Sequence, residues 1–374
     1  MKSSERHLNV ICFDIPYPPD YGGVIDVFYK LRAFHQKGIH THLHCFQYSR
    51  NPSPQLENIC ESVHYYQRNV SKSQLFSRLP YIVISRMNEQ LLENISSNST
   101  PVLFEGLHST FYLNDEKLKG RKKIVRTHNI EHDYYRSLAQ VENNIFRRYY
   151  FNNEASKLES YEQMLKHADT VAAISPNDDA HFQSRYQNSF YLPAFHSNDK
   201  VNIQQGRGSF AFYHGNLSVG ENNSAALFLI REVFSKLSVQ LVIAGKNPSQ
   251  ELKSAADSKN NVTLVPNPSS KDIMQLLSQA HVNVLPAIQQ TGIKLKLLNA
   301  LHNGRFCIAN RMMVSGTGLE SLCVVADSES EFIAGIRDIF QKEFSSGDIK
   351  IREDILSHSF SNSGNMDKLL MKIF

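Results

Sequence analysis

Residues 280–309 read AHVNVLPAIQQTGIKLKLLNALHNGRFCIA. Val282–Leu285 is a short apolar run that stops at Pro286, and Phe306–Ala309 is a second. Between them, leucines recur at helical spacing over Leu295–Asn303, and Asn303-Gly304 closes that segment. Strand, turn, helix, strand is the pattern of a βαβ unit, whose two strands must be parallel. The turn also carries chemistry. Thr291 suits a helix cap and Gly292 leaves the first amides open to a ligand. Lys294 and Lys296 lie in the first turn, where positive charge opposes the helix dipole. An anion bound there would offset the conflict, so the turn reads as a diphosphate site.

The same rhythm extends outward in both directions. Strands are predicted at His7–Phe13, Ile39–Phe46, Val102–Glu105, Lys123–Thr127 and Thr170–Ile174, then at Phe210–Tyr213, Val239–Ala244, Val262–Val265 and Cys323–Val325. Helices fit Val24–Gln36, Arg86–Ile95, Asn143–Lys166, Pro176–Tyr186, Asn223–Leu237, Ser270–Gln279 and Glu329–Glu343. Repeated βα units predict an α/β protein with two doubly wound parallel sheets. The stretch His196–Gly208 is polar and reads as a linker. It sets domains at 1–197 and 208–357, with a C-terminal helix at 358–374 free to pack back on the first.

Composition limits the function. A chain of 374 residues with 41% hydrophobic residues can build two cores. The net charge of +4 divides evenly between the halves, so neither half reads as a nucleic-acid binder. The five cysteines are unpaired in pattern, as expected of reduced thiols in a cytoplasmic protein. No apolar run is long enough to span a bilayer, and the charged stretch Met1–His7, which leads directly into a strand, is not expected to act as a signal peptide. His40, His42 and His44 alternate with Ile39, Thr41, Leu43 and Cys45. Their spacing along a strand fits one tetrahedral ion poorly, so they read as one face of a half-exposed strand.

Motif absence narrows the enzyme class further. The chain has no G-x-G-x-x-G after a strand, no P-loop, no G-x-S-x-G elbow and no Asp-x-Asp. What remains is turns placed after strands. Pro16-Tyr17-Pro18-Pro19-Asp20-Tyr21-Gly22-Gly23 lies between the first strand and its helix, where Gly22 and Gly23 allow close backbone approach to a ligand.

Taken in order, several pieces resemble family 4 glycosyltransferases of the GT-B fold, especially bacterial members that assemble surface polysaccharides. The pieces are the Pro-Pro-x-x-Gly-Gly loop, Arg126-Thr127-His128-Asn129-Ile130-Glu131-His132, Ala172-Ala173-Ile174-Ser175, Tyr213-His214-Gly215-Asn216, Ile243-Ala244-Gly245-Lys246 and the Gly292–Leu301 run with Asn303-Gly304. The resemblance covers nearly the whole chain. It implies two Rossmann-like domains facing a cleft, the second holding a nucleotide sugar. It further implies a retaining hexosyltransferase.

Carried over residue by residue, the resemblance places Gly215, Lys246, Gly292, Lys294, Lys296 and Asn299 around the nucleotide, with Gly22 and Gly23 at the loop of the first domain. Thr291 and Asn299 stand where the family carries its two carboxylates, and no basic pair follows Gly215. His128 matches a histidine that contacts the donor sugar, and His108 is a second candidate. The expected ring of His128 is open to the cleft, while Glu131 and His132 are read as capping or orienting the next helix. The expected co-substrate is a nucleotide sugar with no cofactor and no metal, so activity should survive a chelator. The acceptor is a glycan or lipid-linked glycan. Peripheral membrane contact is placed at the basic run Lys117–Lys123 or the aromatic run Phe146–Phe151. Two rivals stay open: a non-catalytic homologue that binds a glycan or partner, and a sugar-nucleotide epimerase of the same fold.

Overall fold

The computed structural model describes residues 5–48, 50–287 and 295–374. The chain divides into two compact units. One holds residues up to Ser197 together with Ser359–Phe374; the other holds the described residues of Asn198–His358.

The first unit contains a seven-stranded sheet in the order β3-β2-β1-β4-β5-β6-β7. Its strands are β1 (Arg6–Cys12), β2 (Ile39–Gln47), β3 (Ser62–Gln67), β4 (Val102–Glu105), β5 (Lys123–Arg126), β6 (Thr170–Ala173) and β7 (Ser189–Tyr191). All neighbours run parallel. β1 from Leu8 onward and all of β4 are buried because both faces are covered. On one face Leu8, Val10 and Cys12 pack on Val24, Leu31 and Phe34 of the Gly22–Gln36 helix. On the other, Ile11 and Phe104 share a core with Leu158, Leu165 and Phe182.

The second unit contains a six-stranded sheet in the order β10-β9-β8-β11-β12-β13. These strands are β8 (Phe210–Asn216), β9 (Gln240–Lys246), β10 (Val262–Pro266), β11 (Val282–Leu285), β12 (Phe306–Ala309) and β13 (Val324–Val325), again all parallel. In each sheet the strand order reverses at one place, between β1 and β4 and between β8 and β11. Ligands of such sheets bind beyond the carboxyl ends of the strands at that reversal.

Most elements lie where the pattern puts them, with differences that have local causes. β3 and β7 escape the pattern, because SVHYYQ alternates weakly and SFY is too short to show a period. The Glu131–Val141 helix is separate from Ile145–Glu162, and the latter tightens into a 3-10 turn at Gln163–His167. The polar segment that reads as a linker is bonded to the second unit. Asn202 N donates to His302 O at 2.7 Å, Gly206 pairs with Phe344, and Arg207 meets Glu343 at 3.1 Å. The C-terminal helix Asn362–Ile373 belongs to the first unit, where Met366, Leu369 and Ile373 enter the core beside Val24 and Val27. On the histidine strand, His40 and His42 are half-buried, but His44 is buried and bonded to Tyr66 Oη at 2.8 Å.

Candidate functional site

In the first unit the strand reversal lies between β1 and β4. Beneath the strand ends is a closed charge network. Lys30 Nζ bonds Asp26 at 2.9 Å and Glu105 at 2.8 and 3.0 Å. Arg126 grips Asp26 at 3.0 and 3.1 Å and donates to Leu192 O at 2.6 Å. All four side chains are buried. Burial alone would raise the carboxyl pKa values. The cations outweigh it: Arg126 and then Lys30 hold Asp26 low, and Lys30 and then His128 hold Glu105 low. Two acids and two bases balance, so the network stands without further charge.

His128 rests on this network. Its Nε2 lies 3.1 Å from Glu105 Oε2, and since a carboxylate only accepts, Nε2 carries the hydrogen. The expected open ring is not found: His128 is 6% exposed, because Glu105 draws the ring down onto the strand ends and Phe13 covers it edge-on at 5.3 Å. Its Nδ1 has no hydrogen-bond partner. Thr127 Oγ1, His108 Nδ1 and Glu131 Oε1 are likewise buried and unpartnered. His108 follows Gly106, whose φ of 73° favours glycine, and a Cβ on Gly106 would come within 3.0 Å of His108 Nδ1. His108 Nδ1 and Glu131 Oε1 are 3.8 Å apart, too far to satisfy each other directly.

Two of these groups, His108 and Glu131, are polar but uncharged at neutral pH. Burial, with Arg86 nearby, holds His108 well below the usual histidine range. Burial also pushes the Glu131 carboxyl up to about 8, against a hydrogen bond from Asn129. Unpaired neutral donors and acceptors suit hydroxyl groups rather than phosphate. Gly22 and Gly23 open the neighbouring helix, whose first turn has neither a side-chain cap nor an acid. A Cβ on Gly23 would meet the Phe13 ring at 2.7 Å. The loop before them is tied by Arg50, which donates to Pro18 O at 2.6 Å and pairs with Asp20, and by Tyr21, which donates to Asp14 at 2.9 Å.

The second unit presents a different surface at the end of β8. Gly215 and Gly245 are register partners, and a Cβ on Gly245 would fall 2.0 Å from Gly215 O. A Cβ on Gly215 would fall 2.9 Å from Lys296 Nζ. Lys296 Nζ bonds Asn222 Oδ1 and lies 5.4 Å from the Tyr213 ring centre. Burial, and then the Lys296 charge, push His214 down to about 3, and His214 Nε2 has no hydrogen-bond partner. Lys246 is exposed at the end of β9, paired in register with Asn216. Gly215, Lys246 and Lys296 therefore share one strand edge. Asn299 is turned to other work: its Oδ1 accepts from Asn198 at 2.9 Å. Gly292, Lys294 and Thr291 lie outside the described residues.

Two surface readings change as well. In the basic run, Arg121 turns inward to Thr100 O at 2.9 Å and Lys123 donates to Leu113 O at 3.0 Å, leaving Lys117, Lys119 and Lys122 exposed. In the aromatic run, Phe146 and Tyr149 are exposed at 79% and 74%. No helix among the described residues is long and apolar enough to cross a membrane.

Sequence reasoning missed Glu105 and the Asp26–Lys30–Arg126 network, and read Glu131 as serving the next helix rather than the site. The available signal was charge at strand ends inside apolar runs, as in VLFE and KIVR, since a fully covered strand tolerates a charge only when it is paired.

Comparison with known proteins agrees with this geometry. Residues 210–342 match the family described as Glycosyl transferases group 1. Over 90% of its length the chain is 25% identical to a Klebsiella pneumoniae protein described as an uncharacterized 44.6 kDa protein in the cps region, covering 94% of it. The lipopolysaccharide outer core galactosyltransferase WaaB, in its apo form, superposes with a TM-score of 0.67 at 14% identity, over 98% of this chain and 100% of that one. Anabaena HepE in complex with UDP and glucose superposes with a TM-score of 0.65 at 10% identity, over 97% and 98%. The second unit thus carries a glycosyl transferases group 1 domain, and the chain has the GT-B fold of two Rossmann-like parallel-sheet domains.

Proposed function

We propose that the protein transfers a hexose from a nucleotide-sugar donor to a glycan or lipid-linked glycan, with retention of anomeric configuration and no metal ion on the donor diphosphate. The observation that carries the reading is Lys296 Nζ set against Gly215 in the domain that matches a glycosyltransferase family. A diphosphate leaving group gains charge as the sugar departs. Lys296 and Lys246 stabilise that charge from fixed positions, the work a metal performs elsewhere. His128, held by Glu105, and His108 act on the sugar-transfer step through hydrogen bonds rather than as strong bases. Both WaaB and the relative from a cps region support a role in surface-polysaccharide assembly.

A thermal-shift screen of nucleoside diphosphates tests the donor, with UDP first because HepE holds it. Nucleotide release from the matching sugar nucleotide then separates the readings. Release that requires an acceptor supports transfer; release without one supports an epimerase. Turnover after EDTA treatment should not rise on adding manganese or magnesium. One observation favours a non-catalytic binder: Asn299 replaces a family carboxylate and is already engaged by Asn198. Binding without any release would establish that reading instead.

We place the protein in the cytoplasm, in contact with the membrane through the exposed Ile145, Phe146 and Tyr149 beside Arg147 and Arg148. Co-sedimentation with anionic vesicles, reduced in Phe146→Ser, tests this contact.

A further inference from the structure

A second cluster of ligating side chains lies in the first unit, outside the groups used above. Successive helix positions point about 100° apart. Glu131 therefore reaches His108, while His132 turns toward the end of the Ile145–Glu162 helix. There His132 Nδ1 lies 3.2 Å from Glu162 Oε2, and His181 Nε2, from the Pro176–Tyr186 helix, lies 2.9 Å from Glu162 Oε1. One ligand atom from each residue lies within 4.8 Å of the others. We propose that His132, Glu162 and His181 bind one zinc ion, which clamps three helices of the first unit together.

The donor set fits. Two imidazoles and one carboxylate suit zinc, whereas calcium and magnesium favour oxygen. Zinc binds nitrogen and oxygen at about 2.0–2.2 Å, so ligand atoms must lie about 3.3–3.5 Å apart around a tetrahedron. The separations of 3.2 and 2.9 Å run to different oxygens of Glu162, and the three ligand atoms lie within 4.8 Å of one another, so side-chain rotation must draw them in around the ion. His132 supplies the clearest sign. It is 3% exposed, and its Nδ1 has no well-formed hydrogen bond although Glu162 Oε2 lies 3.2 Å away. A cation between ring and carboxylate satisfies both. Asp133 Oδ1 lies 3.6 Å from His132 Nε2, on the side where an outer carboxylate orients a ligating histidine.

The other candidate set in this unit, Asp26, Glu105 and His128, fails the same test. Lys30 and Arg126 already neutralise its acids from buried positions. Around Glu162 the neighbouring cation is Arg185, 3.5 Å from Oε1 on a side chain 45% exposed, which can turn to solvent. Tyr186 donates to the same oxygen at 3.2 Å and can remain as a second contact.

The test is zinc content and zinc affinity of the full chain, by elemental analysis and titration calorimetry after EDTA treatment and dialysis. One equivalent is expected, with a rise in Tm on adding zinc. His181→Ala and His132→Ala should each weaken binding by more than the ~10–100-fold that outer-shell changes cost. His181 is the more exposed ligand, so its variant keeps the test usable where His132→Ala fails to fold. His42→Ala serves as control, since His42 Nε2 and His7 Nδ1 approach within 3.1 Å elsewhere on the sheet. No zinc bound, zinc held equally by His181→Ala, or loss confined to His42→Ala would each overturn the assignment.

Discussion

His128 Nε2 lies 3.1 Å from Glu105 Oε2, and Glu105 in turn is held by Lys30. The ring is therefore fixed in tautomer and direction by a buried acid that cannot move without breaking the network below it. That leaves Nδ1 as the ring's unpartnered atom. A histidine held this way works by position, which is how it would place a sugar hydroxyl.

Replacing His128 with Ala should lower turnover by at least about tenfold, the scale of one well-placed hydrogen bond. Nucleotide affinity should be nearly unchanged, because the nucleotide is assigned to the second unit. Turnover with the donor found by thermal shift, set beside calorimetry of the free nucleotide, measures both. Normal turnover would remove His128 from the mechanism.

Glu105→Gln should destabilise the protein by about 3–5 kcal/mol, since it leaves Lys30 buried with half its partner charge. Urea unfolding of the two proteins measures the difference. The conservative change keeps shape, so a loss below about 1 kcal/mol, the scale of an exposed ion pair, would mean that the network is not what holds the strand ends.

How far the sequence foretells this is clearest at four residues. Lys296 and Gly215 both read as nucleotide contacts from separate motifs, and the fold brings them together because β8 and the Leu295–Asn303 helix both border the strand reversal. Strand periodicity therefore locates the second unit's edge well. Glu105 is invisible as a site residue, because its meaning depends on Lys30, 75 positions away. Such a partner is set by tertiary packing and leaves no local period. Asn299 shows the opposite limit: its position in the helix is legible, but its partner Asn198 comes from a segment that reads as a polar linker.

The pH dependence of stability should have two limbs of opposite sign. Asp26 and Glu105 are held below their unfolded values, so their contribution is complete above about pH 4 and is lost as pH falls further. Glu131 is raised to about 8, so its contribution is complete below about pH 4.3 and is lost as pH rises toward 8. Glu131→Gln removes the second limb, and the variant should gain stability relative to the parent at pH 8. The gain is at most about 1.4 kcal/mol for each pH unit separating the folded and unfolded pKa values of the carboxyl. Chemical denaturation at pH 5 and pH 8 measures it; equal differences at both would show that Glu131 does not titrate in that range.

The two glycines at the β8 edge separate folding from binding. In Gly245→Ala the new Cβ would lie 2.0 Å from the backbone oxygen of Gly215, which cannot yield without opening the β8–β9 ladder. This change should cost about 1–3 kcal/mol or more and lower Tm. In Gly215→Ala the nearest atom is Lys296 Nζ at 2.9 Å, the far end of a flexible side chain, which can retreat. That variant should fold almost normally yet bind a nucleoside diphosphate less well, because the methyl group displaces the ammonium. Lys296→Ala should weaken the same ligand about tenfold or more, as expected for a charge-assisted hydrogen bond worth about 1.5–3 kcal/mol. Binding of the uncharged nucleoside should change little in either variant. Calorimetry with nucleoside and nucleoside diphosphate on Gly215→Ala and Lys296→Ala decides the matter: equal losses for both ligands would place the diphosphate away from Lys296, and unchanged binding of both would take the lysine out of the site.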